Sequence, residues 1–242
     1  MITVIPPDDR VNFISSLTVD TWTPYAVPAP PSGTTAVIVE FLSNDTNNVG
    51  HSADARPIGD TNELTGLGYN LIADTIAMST RMVPLDGSGE IDVFVNANVA
   101  QARIAAYLTS ADFTPLPVRG DIFDYGAFAS GVRTPFDFSA DAPEGATAVV
   151  VLLNQPSSAS HATTFYRPGE TAGVVCTNYG HSTAMVVPLV GGVADFAFAG
   201  TQQSNHVGLV CGFLLSTFIP EPIDGYVTIS SVAPASSWKT IA

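Results

Sequence analysis

Short apolar stretches separated by turn-forming residues run along most of this chain. Residues 36–42 and 148–153 are almost wholly apolar and rich in β-branched side chains, whereas 91–95 and 194–198 alternate apolar and polar positions. A period of two, bounded by Gly and Pro, is typical of strands joined by tight turns. The pattern predicts an all-β fold of antiparallel β-sandwiches, of either jelly-roll or immunoglobulin-like topology. Residues 96–102 form the only window that favours a short helical turn.

The same pattern occurs twice, at an offset of about one hundred residues. Each of four motifs in residues 31–94 has an echo in residues 143–197, in the same order: Pro31–Val39 with Pro143–Val151, Arg56-Pro57 with Arg167-Pro168, Val83-Pro84-Leu85 with Val187-Pro188-Leu189, and Gly89–Phe94 with Gly192–Ala197. The offset drifts only slightly, as expected when two copies of one domain differ in loop length. We therefore predict two tandem domains related by internal duplication.

These repeats suggest domain boundaries. We predict a first β-sandwich over residues 1–112, a second over 113–220, and a C-terminal strand or arm over 221–242. Residues 11–17 and 122–128 read as lead-in strands, and 226–232 read as a third, because Ile229-Ser230-Ser231 repeats Ile14-Ser15-Ser16. The C-terminal strand either folds back on the second domain or pairs with the sheet edge of a neighbouring subunit. Its candidate contact residues are Tyr226, Val227, Ile229, Val232 and Trp238.

The chain is acidic, with a formal net charge of −14, and only 12% of its residues are charged. No basic stripe is present, which argues against nucleic-acid binding and against attraction to an anionic membrane. The N-terminus lacks a basic region followed by an apolar run, so we expect no signal peptide and folding in a cytoplasm. Cys176 and Cys211 are then predicted to be buried thiols, with a disulfide as the alternative.

The two copies differ in charge. Residues 31–108 contain nine acidic residues and three arginines, whereas residues 143–220 contain three acidic residues and one arginine. We infer that the second copy faces a protein partner and the first faces water. The alternative is that Ser, Thr and Asn side chains solvate the second copy.

Residues capable of chemistry are scattered. His51 and His161 lack neighbouring ligands at metal-binding spacing, and no nucleophile elbow, phosphate loop or dinucleotide fingerprint is present. Asp86, Ser88, Glu90 and Asp92 alternate as in the start of a calcium loop, although a turn followed by a strand explains them better. We predict no catalytic residue, metal or cofactor. Trp22 and Tyr69 are candidate glycan contacts, because aromatic rings can stack on sugars.

The order Gly-Thr-Thr-Ala-Val-Ile-Val, Pro-Leu, a Gly turn, Asp-Val-Phe and a closing Ala-Tyr-Leu resembles the small β-sandwich modules of bacteriophage virion proteins. These include head decoration (cement) proteins and tail or fibre accessory proteins. The chain is also similar to tandem β-modules of bacterial surface proteins. The resemblance covers about residues 31–215.

The resemblance implies a non-enzymatic structural protein, located in the virion and assembled in the host cytoplasm. Such a protein would dock on a capsid or tail lattice and stabilise it. Its partner would be the major capsid protein or another virion protein, and it is expected to form a homo-oligomer. A carbohydrate-binding or adhesive module is the alternative, and glycan hydrolysis is a third.

Overall fold

A computed structural model describes residues 2–43, 52–61, 77–116, 123–124, 129–154, 162–171, 173–176, 182–199 and 207–215. Its regular structure is almost entirely antiparallel strand, which confirms the predicted all-β class. The strands are β1 (Thr3–Val4), β2 (Thr23–Ala26), β3 (Thr34–Ser43), β4 (Ala53–Arg56), β5 (Ala77–Pro84), β6 (Glu90–Val95), β7 (Gln101–Thr109), β8 (Phe113–Pro115), β9 (Phe123–Asp124), β10 (Thr134–Asp137), β11 (Ala148–Asn154), β12 (Ala162–Tyr166), β13 (Val174–Cys176), β14 (Ser182–Pro188), β15 (Val193–Ala199) and β16 (Val207–Leu214). No helix in the described part of the chain is long and apolar enough to cross a membrane.

The first sandwich is formed by two antiparallel sheets. The first inner sheet has the order β1-β7-β3-β5, and the first outer sheet has the order β2-β6-β4. Alternate residues of β3 and β6 point between these sheets, as the period of two requires. Their core contains Val37, Val39 and Phe41 of the inner sheet against Ile91 and Val93 of the outer one.

The second sandwich repeats this arrangement. The second inner sheet has the order β8-β16-β11-β14, with β9 also paired to β16, and the second outer sheet has the order β10-β15-β12-β13. Aromatic side chains fill much of its core, where Phe138, Phe165 and Phe196 meet Val151 and Phe213.

The two inner sheets each contain a β-bulge at corresponding positions. The pairing of β3 with β7 shifts between Ile38 and Val39, and the pairing of β11 with β16 shifts between Val150 and Val151. The extra residue is Ala105 on β7 and Cys211 on β16, each the additional residue of a β-bulge. Each bulge carbonyl accepts a hydrogen bond from the strand that leads into its sandwich, from Ile5 N–H at 2.9 Å and from Leu116 N–H at 3.1 Å. This correspondence is what a duplication would leave, and the duplication itself stays a prediction.

A third apolar cluster joins the two sandwiches. Ala36 and Leu108, with Ile38 and Met82 beside them, form the outward face of the first inner sheet. They pack against the second inner sheet, at Phe113, Ala148, Val150, Leu152, Leu209, Cys211 and Leu214. Both inner sheets are therefore buried on two faces, and the four sheets form one stack. The predicted boundary near residue 112 lies beside this shared core.

Two local predictions were wrong. Residues 14–16 form a 3-10 helix and not a strand, because Phe13 turns into the first core and the chain closes Leu17 N–H onto Ile14 O. Residues 96–102 form no helix. Asn96 O accepts from Val99 N–H, its side-chain Oδ1 accepts from Asn98 N–H, and Gln101 already begins β7.

Candidate binding surfaces

Trp22 lies at the exposed face of the first outer sheet, in contact with a cation. The Arg56 Cζ atom is 3.7 Å from the centre of the indole ring, and Phe94 packs against the indole at 5.7 Å between ring centres. Arg56 Nε also lies 3.6 Å from an oxygen of Asp92. Trp22 itself is half-buried. The predicted glycan contact is thus part of an aromatic–arginine–carboxylate cluster, and Arg56 already covers one face of its ring.

Tyr25, on the neighbouring strand β2, does not join the Trp22 cluster. Tyr25 points inward and stacks on Phe13 at 4.0 Å between ring centres, and burial raises the pKa of its phenol. Tyr69 lies outside the described residues, so its role as a glycan contact stays a prediction.

The second outer sheet carries a cluster of the same composition. The Arg133 Cζ atom is 4.5 Å from the centre of the Tyr166 ring, and its guanidinium donates to Asp195 at 2.8 Å from Nε. Arg133 also donates to the main-chain carbonyls of Glu170 and Arg167. The cation, the aromatic ring and the carboxylate are again in contact on the outward side of an outer sheet, and here the cation is more exposed, at 34% for the Arg133 side chain against 9% for that of Arg56.

The two clusters exchange the positions of cation and ring. Pro24 pairs with Asp92 and Pro135 pairs with Asp195, so Trp22 and Arg133 occupy matching places two residues before these prolines. On the other side, Arg56 pairs with Asp92 and Tyr166 pairs with Asp195. The first cluster therefore has its ring before β2 and its cation on β4, while the second has the reverse.

This register corrects the repeat at one point. The sequence equates Arg56 with Arg167, but the sheet places Tyr166 opposite Asp195, so Arg56 and Tyr166 correspond. The neighbouring turns agree, since Asp60 N–H bonds Pro57 O and Glu170 N–H bonds Arg167 O, both at an offset of 110. The constant offset of Gly59-Asp60-Thr61 against Gly169-Glu170-Thr171 was a signal for this alignment. The shared Arg-Pro dipeptide suggested the wrong alignment, because Arg167 lies one residue after Tyr166, the true counterpart of Arg56.

Asp86 holds a turn. Its carboxylate accepts hydrogen bonds from Glu90 N–H at 2.7 Å and from the Ser88 N–H and hydroxyl at 2.9 Å. These donors, led by the Glu90 amide, lower the pKa of Asp86 below its usual range. Among the described residues no three metal-ligating side chains lie close together. The geometry matches the turn that the sequence favours over a calcium loop.

Buried ion pairs are the feature that the sequence pattern missed. Arg81 on β5 donates from Nε to Asp54 on β4 at 2.9 Å, with side-chain exposures of 3% and 13%. The pair ties the inner sheet to the outer sheet of the first sandwich at their edges. Arg10 forms an ion pair with Glu40 of β3 and also donates to Ile5 O, which holds the lead-in segment against the inner sheet. The available signals were Glu40 inside the apolar run of β3 and Arg81 directly before Met82 and Val83 of β5.

Several predicted site residues lie outside the part of the chain that the structure describes. They are His51, His161 and the arm residues Tyr226, Val227, Ile229, Val232 and Trp238. Cys211 is buried at the bulge in the shared core, at 4% exposure, as predicted. The side chain of Cys176 lies outside the described part, so the question of a disulfide stays open.

Comparison with known proteins gives no relative from which a function could be transferred. No protein-family model matches this chain, and no curated protein matches it. Its function must therefore be inferred from the residues and their geometry.

Proposed function

We propose that this chain is a non-enzymatic virion structural protein that docks on a capsid or tail lattice and stabilises it. The observation that carries the proposal is the shared core between the two inner sheets. A stack of four sheets behaves as one body, so a contact made by one sandwich is transmitted to the other without a hinge. This is the mechanical property needed to bridge neighbouring subunits of a lattice.

The charge distribution supports a protein partner. Arg10, Arg56, Arg81, Arg133 and Arg167 each lie within 4 Å of an acidic side chain of the same chain. Five of the eight basic residues are thus paired within the chain, while the net charge is −14. Such a surface repels phosphate backbones and anionic lipids, and fits a partner that presents neutral or basic surface.

Docking by the second sandwich supplies the mechanism. It carries few charges, and Val132 in its described part is 52% exposed. A ligand that binds only the assembled lattice stabilises it by mass action, by about 2.7 kcal/mol per site at a concentration one hundred times Kd. Attachment through both sandwiches, or through a homo-oligomer, would add avidity.

The test is binding of the purified full chain to capsid or tail particles assembled without it. We expect saturable co-sedimentation and a rise in the temperature at which the particles break open. Val132→Asp should weaken binding at least tenfold, because it buries an unpaired charge at the contact. Val19→Asp is the matched control, since Val19 is 47% exposed but belongs to the first sandwich. Absence of co-sedimentation at micromolar concentration would refute the proposal.

A second candidate function rests on the Trp22 cluster. Trp22 and Phe94 lie with Arg56 and Asp92 on the outward side of the first outer sheet, where Trp22 is half-buried and Arg56 is only 8% exposed, so the part of the indole that Arg56 leaves uncovered is the candidate stacking surface. A carbohydrate-binding or adhesive module would use it in this way. Glycan-array binding that is lost in Phe94→Ala and in Trp22→Ala, and kept in Tyr166→Ala, would favour this function over lattice docking.

A further inference from the structure

The outward face of the first inner sheet becomes polar beyond the shared core. Ala36 and Ile38 of β3 pack in that core, and Glu40 follows them on the same face because the side chains of a strand alternate. Arg103 of β7 pairs with Glu40, and Gln101 lies two residues before it on the same face. A carboxylate, a guanidinium and an amide are thus neighbours on this face.

The second sandwich has leucines at the matching positions. Counted from the two bulges, Leu152 stands where the first sandwich has Glu40, and Leu209 stands where it has Arg103. The two leucines pair with each other, as the two charged residues do. Both leucines are fully buried in the shared core. The fold therefore accepts an apolar pair at this place, and strand pairing alone does not account for the charged one.

The charges at this place do not balance. Glu40 forms its ion pair with Arg10, whose Nε also donates to Ile5 O. No described acidic side chain forms an ion pair with Arg103, although Arg103 lies directly opposite Glu40 in the sheet. Two guanidinium groups thus face one carboxylate, which leaves one positive charge in excess on a chain whose net charge is −14.

Two polar atoms of this cluster are buried and have no hydrogen-bond partner in the described part of the chain. They are Nε of Arg103, which is a donor, and Oε1 of Gln101, which is an acceptor. Buried polar groups are normally paired, because leaving such a hydrogen bond unmade is unfavourable. Each of the two side chains is only half-buried as a whole, so a small solute can reach them from solvent.

We propose that Arg103 and Gln101, beside the ion pair of Arg10 with Glu40, bind a singly charged hydroxycarboxylate such as a sugar acid. The guanidinium matches a carboxylate through two parallel hydrogen bonds, one of them from Nε. A hydroxyl next to that carboxylate would donate to Gln101 Oε1, which a fully ionised phosphate cannot do. The excess of one positive charge suits a monoanion, whereas a dianion would meet stronger repulsion from Glu40. The inference goes beyond the proposed function and does not depend on it.

Calorimetric titration of the full chain with sodium glucuronate tests the site. We expect saturable binding of one glucuronate per chain and no binding of glucose, which has the same ring without the carboxylate. Acetate, which lacks the hydroxyl, should bind about tenfold more weakly, and glucose 6-phosphate should also bind more weakly. Absence of saturable glucuronate binding at millimolar concentration would overturn the inference, as would equal affinity for acetate or tighter binding of glucose 6-phosphate.

Substitutions show whether Arg103 makes the contact. Arg103→Leu copies Leu209 and should stay folded, while its affinity for glucuronate falls at least about tenfold. Arg103→Lys is a second variant that keeps the charge without the planar fork, and it should weaken binding as well. Arg167→Leu is the matched control, because Arg167 already pairs with Glu170 in the second sandwich. Equal affinities of Arg103→Leu and Arg167→Leu would overturn the inference.

Two further measurements separate this site from the functions proposed above. Trp22→Ala should bind glucuronate as the unmodified chain does, because the Trp22 cluster lies on the outer sheet and not on the inner one. Binding that is lost in Trp22→Ala and kept in Arg103→Leu would overturn the inference. A chain that binds glucuronate but never co-sediments with particles would refute the lattice proposal alone.

Discussion

At the scale of single residues, Gly212 shows how closely the second inner sheet is fitted. A Cβ at this position would lie 2.5 Å from Phe113 Cζ and 2.6 Å from Thr114 O, and Phe113 is fully buried. Its counterpart in the first inner sheet is Ala106, opposite Ile38 as Gly212 is opposite Val150. The first sandwich tolerates the extra carbon because its lead-in strand, β1, places Val4 and no phenyl ring beside it.

Gly212→Ala should therefore destabilise the protein by about 1–3 kcal/mol, the usual cost of overpacking a core. Denaturant unfolding followed by circular dichroism measures this. Gly87→Ala is the control, because nothing lies within 4 Å of its added carbon. Equal stability of the two variants would mean that β8 can shift away at no cost.

Asp86 gives a prediction in pH. Its folded-state pKa is lowered by hydrogen bonds from Glu90 and Ser88, so its contribution to stability is complete above its ordinary pKa of 3.8 and is lost as the pH falls toward the folded value. We expect Asp86→Asn to be less stable than the unmodified protein at neutral pH, and the difference to shrink below about pH 4. Unfolding midpoints measured across this range test it. A difference that grows on acidification would contradict the assignment.

At the scale of elements, the exchange of cation and ring between the two clusters leads to a quantitative prediction. Arg133→Trp and Tyr166→Arg would each remove the cation–ring contact of the second cluster, and together they would rebuild the arrangement of Trp22 and Arg56. Each single variant should lose about 0.5–2 kcal/mol. The double variant should recover part of that loss, with a coupling energy of at least about 0.5 kcal/mol in a double-mutant cycle. If the effects of the two changes on the free energy of unfolding were strictly additive, the correspondence in register between the two clusters would have no energetic effect.

At this scale, the sequence pattern predicts some features of the fold and misses others. The strands β3, β6, β11 and β15 and the turns between them were predictable, because alternation and glycine turns are local properties. The bulges at Ala105 and Cys211 were not, since an extra residue leaves no compositional trace. The clusters were missed because residues 22, 56 and 92 meet only through sheet register. Burial of β3 on both faces did leave a signal. The run from Ala36 to Leu42 is apolar at every position but Glu40, and such runs are typical of strands covered on two sides.

At the scale of the whole molecule, the shared core predicts cooperative unfolding. Leu152 is fully buried between the inner sheets. Leu152→Ala should cost about 2–5 kcal/mol through lost contacts and a cavity. Because the cluster stabilises both sandwiches, amide exchange should accelerate alike at Val39 of β3 and at Val151 of β11. Exchange that changes only in the second sandwich would show that the halves unfold independently.

The shared core also has a consequence for synthesis on the ribosome. The apolar face of Ala36, Ile38, Met82 and Leu108 is complete once β7 has emerged, but its cover is complete only when β16 ends at Leu214. About one hundred further residues must be translated in between, which takes roughly 5–20 s at usual elongation rates. For that interval the nascent chain exposes this apolar face, and the rate of translation sets how long chaperones must shield it.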